Sequence, residues 1–308
     1  MKSNQNWTWA LATVAAATVA ACGGGGDAAP QDVSVSFVAV AGATPIDCSS
    51  SLTGLGTDPT PGGAAGGLRD LRFYISDVKL VNAQGQEVPL SLGADDNFNA
   101  TAGDHAVTLV DLEDKTGTCV DSNNTEATNT EIKGTVPAGT YTGIRMTLGV
   151  PFEINHTDQT ADLSQTPAVI NNAVNPGMAW SWAGGRKFAK IEVTNSTWTS
   201  PVFNVHLGST GCTGTNPAAG EVDSCAQPNR VNFGFTAFNP ATQQVAVDVQ
   251  ALLAGNNVTV NGGGAIGCMS GQTDPECPAV FERLRLDLAT GATVGDGSSQ
   301  QLFKVVSK

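Results

Sequence analysis

Apolar and polar residues alternate along most of this chain, in short runs that have the length of β-strands. In the clearest run, at 71–76, Leu, Phe and Ile alternate with Arg, Tyr and Ser. Further runs lie at 33–37, 107–112, 141–148, 187–193, 202–207, 231–238 and 245–253. Successive side chains of a strand point to opposite faces, so each run predicts one buried face and one face in water, as in antiparallel sheets.

Turn-forming residues separate these runs, since the chain contains 36 glycines and 15 prolines. The one persuasive helical stretch is short, at 278–284. We therefore predict an all-β protein whose single domain is an antiparallel sandwich, or is barrel-like, with long loops. An appended lobe after about residue 255 is the alternative organisation.

The N-terminus carries the pattern of an export signal. Lys2 precedes an apolar segment at 9–21, which is too short for a spanning helix. It ends in small residues directly before Cys22, and this arrangement resembles the lipobox of bacterial lipoproteins. We predict a signal peptide at 1–21, a lipid on Cys22, a flexible Gly-rich linker at 22–31 and the β domain at 32–308. An ordinary signal peptide with an incidental cysteine is the alternative.

Six cysteines remain after Cys22, and an even number in an exported protein predicts disulfides. Many pairings are open to them. Short loops rich in Gly, Pro and Asp favour Cys212–Cys225 and Cys268–Cys277, which leaves Cys48–Cys119. Thiolate ligation of a metal is the alternative, but the chain lacks the CxxC spacing that is typical of zinc sites.

The charge and the motifs exclude several classes of function. The net charge is −13, which disfavours nucleic acid binding because that needs clustered Lys and Arg. No nucleophile elbow, HExxH, P-loop, dinucleotide fingerprint or haem-attachment motif is present. We therefore expect a protein that is not an enzyme. Its N-terminal signal predicts that it is exported to the periplasm or the cell surface.

Soft metal ligands occur near one Gly-rich segment. Met178 and Trp180 lie in the segment 176–185, between His156 and His206 in the sequence. Imidazole together with thioether suits copper, and Cu(I) in particular. Ordinary structural roles are the alternative, because a tryptophan can pack on either side of a strand and a methionine can fill a gap in a core.

Several segments, in order, resemble the family of MbnP-like copper-binding proteins, which is also called the metallo-mystery-pair four-Cys family. The matching segments are RDLRFYIS at 69–76, LVDLE at 109–113 with Cys119, GTVPAGTY at 134–141, GVPFEINH at 149–156, GMAWSWAGG at 177–185, HLGSTGC at 206–212, Cys225 with PNR at 228–230, and the Cys268 and Cys277 pair. The resemblance covers roughly residues 33–285. Ala183 departs from it, since a polar residue is expected there.

The resemblance implies an exported copper-binding protein that is the substrate of a di-haem, MauG-like oxidase. That oxidase would convert the first Trp of the W-x-W motif, here Trp180, to kynurenine, and copper binding would depend on the conversion. An indole nitrogen can only donate a hydrogen bond, whereas kynurenine offers an aniline nitrogen and a carbonyl. His156 and His206 are the expected copper ligands, with Met178 as a third and His105 outside the site.

Two other functions compete with copper binding. The chain could be a surface adhesin or a glycan-binding sandwich, with Trp180, Trp182 and Trp198 as a stacking platform. It could also be a redox enzyme that uses the copper directly, but no substrate pocket is evident in the sequence. Copper binding predicts that His156, His206 and Trp180 converge in space.

Overall fold

The computed structural model describes residues 29–57, 63–158, 166–180 and 185–308. The predicted signal peptide, Cys22, most of the predicted linker, and Trp182 with Ala183 lie outside the described residues.

Strands dominate the described chain. The strands are β1 Gln31–Ala41, β2 Thr44–Pro45, β3 Leu52–Leu55, β4 Ala64–Asn82, β5 Glu87–Pro89, β6 Ser91–Leu92, β7 Asn99–Ala102, β8 His105–Asp111, β9 Glu131–Val136, β10 Tyr141–Leu148, β11 Ala189–Thr194, β12 Val202–Leu207, β13 Thr210–Thr213, β14 Ser224–Gln227, β15 Val231–Phe235, β16 Gln243–Asp248 and β17 Phe303–Ser307. The helices are α1 Phe152–Asn155, α2 Val249–Leu253 and α3 Cys277–Leu284, with 3₁₀ turns at Ala168–Ile170 and Pro217–Ala219.

The strands form two large sheets and a hairpin. The first sheet has the order β17-β16-β1-β9-β6, with β2 added to β1. The second has the order β12-β11-β4-β10-β15, and β3, β5 and β8 also pair with β4. β1 pairs with β16 in parallel and with β9 in antiparallel orientation. The hairpin consists of β13 and β14.

Aromatic side chains join the two large sheets. Phe37 of the first sheet lies 5.6 Å from Phe73 of the second, measured between ring centroids. Phe303 of the first sheet stacks on Phe233 of the second at 4.4 Å and lies 5.5 Å from Phe73. Offset and edge-on contacts at these distances stabilise a core beyond the area they bury. The predicted all-β sandwich is confirmed.

Three disulfides tie the loops to this core. They are Cys212–Cys225 and Cys268–Cys277, which the short loops favour, and Cys48–Cys119, the pair that was left. The thiolate alternative is therefore wrong for the resting protein.

The central strand differs from the prediction of one wet face. Arg72, Tyr74 and Ser76 alternate with the apolar residues of β4, yet they are as buried as their neighbours. The reason is that loops and strands cover both faces of β4, and the hydroxyl of Tyr74 donates to the carbonyl of Val169 at 3.0 Å. A buried polar group has to be paired in this way.

The predicted strand at 245–253 is wrong in its second half. β16 ends at Asp248, whose side chain accepts a hydrogen bond from the amide of Ala251 at 3.0 Å and caps α2. The predicted helix at 278–284 is confirmed as α3. Past residue 255, β17 returns to pair with β16, so the last strand completes the first sheet. Among the described residues, no helix has the length and hydropathy of a membrane span.

Candidate metal site

Trp180 lies in a short loop that is closed by its own backbone. Its amide donates to the carbonyl of Gly185 at 2.8 Å. The side chain is buried, with 7% of its surface exposed. The indole lies directly over Gly208, and the Nζ of Lys187 lies 5.5 Å from the ring centroid. This burial leaves little of the indole to stack on a sugar, which disfavours Trp180 as part of a glycan platform.

His206 extends from β12 against this indole. The centroids of the two rings are 5.9 Å apart, in an edge-to-face arrangement. The imidazole is buried, and its Nε2 lies 2.7 Å from Oε1 of Glu192 on the neighbouring strand β11. Burial lowers the pKa of His206, although Glu192 opposes the shift. The ring is therefore neutral at neutral pH, with its proton on Nε2 toward the carboxylate and the lone pair on Nδ1.

Glu192 is the partner of His206 that the sequence did not identify. Burial acts to raise the pKa of its carboxyl, but the hydrogen bond from His206 and the charge of Lys190 lower it to about 2. The residue is thus a carboxylate under all ordinary conditions. A histidine that binds a metal commonly has its second nitrogen held by a carboxylate, which fixes the tautomer and raises the basicity of the ligand.

His156 lies at the Gly185 end of the same loop. It follows α1, and its Nε2 lies 3.0 Å from Nδ2 of Asn155 and 3.4 Å from Sγ of Cys225. The Oδ1 of Asn155 accepts the amide of Arg186 at 2.8 Å. Because that bond fixes the amide orientation, Nδ2 donates to the Nε2 lone pair of His156.

The pairing of Trp180 with Gly185 brings the two histidines to one loop. His206 contacts the indole, and a Cβ placed on Gly185 would lie 3.0 Å from Cε1 of His156. Met178 is two residues before Trp180, and it is 1% exposed within the hydrophobic core. Its carbonyl accepts the amide of Lys187 at 2.9 Å. The role of Met178 as a third ligand stays a prediction.

His105 lies outside this group. It begins β8, and its Nε2 lies 3.3 Å from Oε2 of Glu153 in α1, which is the helix before His156. Its described contact therefore connects the β7–β8 hairpin to α1.

A network of buried charged side chains lies next to the Trp180 loop and to His206. Asp70 pairs with both Arg72 and Lys190, and Lys190 lies 3.5 Å from Glu192. These four side chains are at most 6% exposed. Arg72 also donates to the carbonyl of Pro176 at 3.1 Å, just before the Trp180 loop. The network thus fixes both His206 and the start of the loop, since buried charges are stable only when they are fully paired.

Gly208 is the position where the indole has least room. A Cβ there would lie 2.4 Å from Nε1 of Trp180 and 2.8 Å from the carbonyl oxygen of Arg186. We expect Gly208→Ala to displace the indole and to lower the free energy of unfolding by about 1–3 kcal/mol, the usual cost of overpacking. Denaturant unfolding and tryptophan fluorescence measure both effects. Gly93→Ala is the control, because nothing lies within 4 Å of its added Cβ. Equal effects of the two substitutions would contradict the tight contact.

Comparisons with known proteins agree on one family. The family model MbnP matches residues 30–270 of the chain. The solved structure of MbnP from Methylosinus trichosporium is similar to it, with a TM-score of 0.72 and 31% sequence identity. The similarity covers 91% of this chain and 99% of that one. No curated protein sequence matches the chain significantly.

Proposed function

The chain belongs to the MbnP family, and on that premise we propose that it binds copper at the Trp180 loop after Trp180 has been converted to kynurenine. The observation that carries the proposal is the convergence at this loop, where His206 contacts the indole and His156 contacts Gly185. Two imidazoles suit copper, and Cu(I) in particular when a thioether such as that of Met178 joins them.

The residues present fit a copper ion only after modification. The indole nitrogen has no lone pair to give, so unmodified Trp180 places a non-ligand beside His206 in the loop that His156 also contacts. Kynurenine at this position supplies an aniline nitrogen and a carbonyl oxygen to the same space. Glu192 holds Nε2 of His206 and leaves Nδ1 as the nitrogen for the metal. The Asp70 network keeps Glu192 ionised and in place.

A di-haem, MauG-like oxidase is the partner we propose for the conversion. Cys22 would carry a lipid that anchors the protein to a membrane. The β domain would then lie in the periplasm or at the cell surface, where the oxidase could reach it. The chain itself performs no catalysis in this proposal. Its contribution is to bury Trp180, to orient the two imidazoles and to hold the modified ring in the same loop.

The test compares protein made with and without the oxidase. We expect the co-expressed protein to show a changed mass at Trp180, a new near-ultraviolet absorbance and bound copper, whereas Trp180→Phe gives copper at background level. Trp198→Phe is the control, because that indole is partly buried against the core and lies over Gly66, near the start of β4. A co-expressed protein without copper, or a Trp180→Phe variant that retains it, would overturn the proposal.

Glu192 offers a separate test of the ligand arrangement. Glu192→Gln keeps the shape of the side chain but removes the charge that holds Nε2 of His206. We expect copper affinity to fall about 10- to 100-fold, as for other partners of metal-bound histidines. Competition with a chromophoric chelator measures the loss. Glu87→Gln removes an exposed carboxylate that pairs with Lys79 and should leave the affinity unchanged. An unchanged affinity in Glu192→Gln would exclude this role.

A further inference from the structure

One of the three disulfides is placed differently from the other two. Cys212 and Cys225 are half-buried and lie directly opposite each other in the β13–β14 hairpin. The cysteines of the other two disulfides are at most 1% exposed. Access is one of the factors that set the rate of thiol–disulfide exchange. A reductant in solution therefore reaches Cys212–Cys225 first.

An imidazole lies beside this accessible disulfide. The Nε2 of His156 is 3.4 Å from Sγ of Cys225, and one ring nitrogen lies with both sulfur atoms inside a cluster 4.8 Å across. The imidazole is therefore already placed as a ligand beside both sulfur atoms.

The loop between β13 and β14 holds the disulfide of Cys212 and Cys225 close to His156. Gly220, at the end of that loop, has a φ of +84°, and a Cβ there would lie 2.5 Å from the carbonyl carbon of Thr157. Thr157 follows His156 directly in the chain. The hairpin is thus packed against the segment that carries His156 through Gly220 and Thr157 as well as through Cys225.

We propose that reduction of Cys212–Cys225 creates a second copper site, in which two thiolates and His156 bind Cu(I). A dithiol, either a small molecule or a thiol–disulfide oxidoreductase, supplies two electrons and two protons and becomes a disulfide, while Cys212 and Cys225 become thiols. Binding of Cu(I) then releases the two thiol protons. Soft thiolates select Cu(I), and imidazole is a compatible third ligand.

The distances suit a single ion. Ligand atoms about 2.0–2.3 Å from a metal lie roughly 3.5–4.5 Å from each other. The existing cluster is 4.8 Å across, so the thiols need only a small rotation once their bond is broken. The Nε2 lone pair of His156 passes from Asn155 to the metal, and Asn155 stays held by the amide of Arg186. This site goes beyond the proposed function, because it needs no modified tryptophan. Since both sites use His156, copper in one withdraws that ligand from the other.

The experiment uses Trp180→Phe protein made without the oxidase, which removes the kynurenine site. Brief treatment with an immobilised phosphine, followed by alkylation and mass mapping, should show free thiols at Cys212 and Cys225 only. Anaerobic titration of the reduced protein with Cu(I), against a chromophoric chelator, should show uptake of one ion and a new ultraviolet sulfur-to-copper absorbance. The untreated protein should take up none.

Two variants complete the test. His156→Gln, reduced in the same way, should bind Cu(I) at least about tenfold more weakly. Replacing a residue that only hydrogen-bonds a metal ligand already lowers metal affinity about tenfold or more. Cys212→Ser with Cys225→Ser should bind none after treatment. Equal reduction of all three disulfides, no Cu(I) uptake, or undiminished affinity in His156→Gln would each overturn the proposal. The test of the kynurenine site uses protein whose disulfides are intact, whereas this test uses reduced protein without kynurenine. Failure of one proposal is therefore distinguishable from failure of the other.

Discussion

Replacing Asp70 by asparagine is expected to lower the free energy of unfolding by about 3–5 kcal/mol, the cost of breaking a buried ion pair from one side. The carboxylate accepts from Arg72 at 2.9 Å and 2.6 Å and also pairs with Lys190. Neither cation has water to replace it, since their side chains are at most 4% exposed. An amide would remove the counter-ion that both cations share and leave them only the more distant Glu113, 3.8 Å from Arg72, and Glu192, 3.5 Å from Lys190. Urea or thermal unfolding, followed by circular dichroism, measures the loss.

The same substitution at Asp111 provides a matched control. Asp111 is equally buried, but burial raises the pKa of its carboxyl from 3.8 to about 8, although the charge of Arg72 opposes the shift. Its Oδ2 accepts no hydrogen bond among the described residues. The group is therefore mostly neutral at pH 7, and Asp111→Asn resembles its protonated form. We expect Asp111→Asn to be no less stable than the wild type at pH 7, because the wild-type carboxyl must take up a proton on folding at that pH and the amide need not.

The two variants should also differ in their dependence on pH. A carboxyl whose pKa is raised on folding stabilises the protein at low pH, and that contribution is lost as the pH rises toward the folded value. The wild-type protein should thus lose stability between pH 3.8 and about 8 in a way that Asp111→Asn does not. If Asp111→Asn proves as costly as Asp70→Asn at pH 7, the assignment of charge within the network is wrong.

Removal of the Cys48–Cys119 disulfide is the second large effect. The two residues are 71 positions apart, and a cross-link over so long a loop restricts the unfolded chain strongly. The chain-entropy relation gives about 4.4 kcal/mol for the double alanine variant. Alanine is chosen because both sites are fully buried and a serine hydroxyl would need a partner. Denaturant titration under oxidising conditions measures the change.

Cys268–Cys277 is the comparison for that variant. Its cysteines are also buried, but they are only 9 positions apart. The same relation gives about 2.5 kcal/mol for the double alanine variant. A larger loss at Cys268–Cys277 than at Cys48–Cys119 would show that packing, and not loop length, decides the contribution of these bonds.

Local sequence pattern predicted most of the large strands but not their environment. Alternation at 71–76 correctly indicated β4, but it predicted a wet face where Arg72 and Tyr74 are in fact fully buried. Period two reports only that two faces differ in chemistry. It cannot show that other parts of the chain cover the polar face as well. Likewise, the apolar run after Asp248 suits strand or helix, and the cap supplied by Asp248 decides for the helix.

The sequence identified the candidate ligands of the site but not the residue that holds one of them. His156, His206 and Trp180 were recognised because they lie in contiguous motifs. Glu192 was not, since its contact with His206 depends on the register of β11 against β12, in which Lys190 is opposite His206 and Glu192 is opposite Asn204. The available signal was that Glu192, a charged residue, lies between the apolar Ile191 and Val193. That pattern does not indicate which residue Glu192 contacts.

The parallel pairing of β1 with β16 has a consequence for the order in which the chain folds. Phe37 lies beside Val245, and Val40 lies beside Asp248. Synthesis releases β1 early and β16 late, and pairing between such distant segments is slow to form. Until then, one edge of β1 is an open template for other chains.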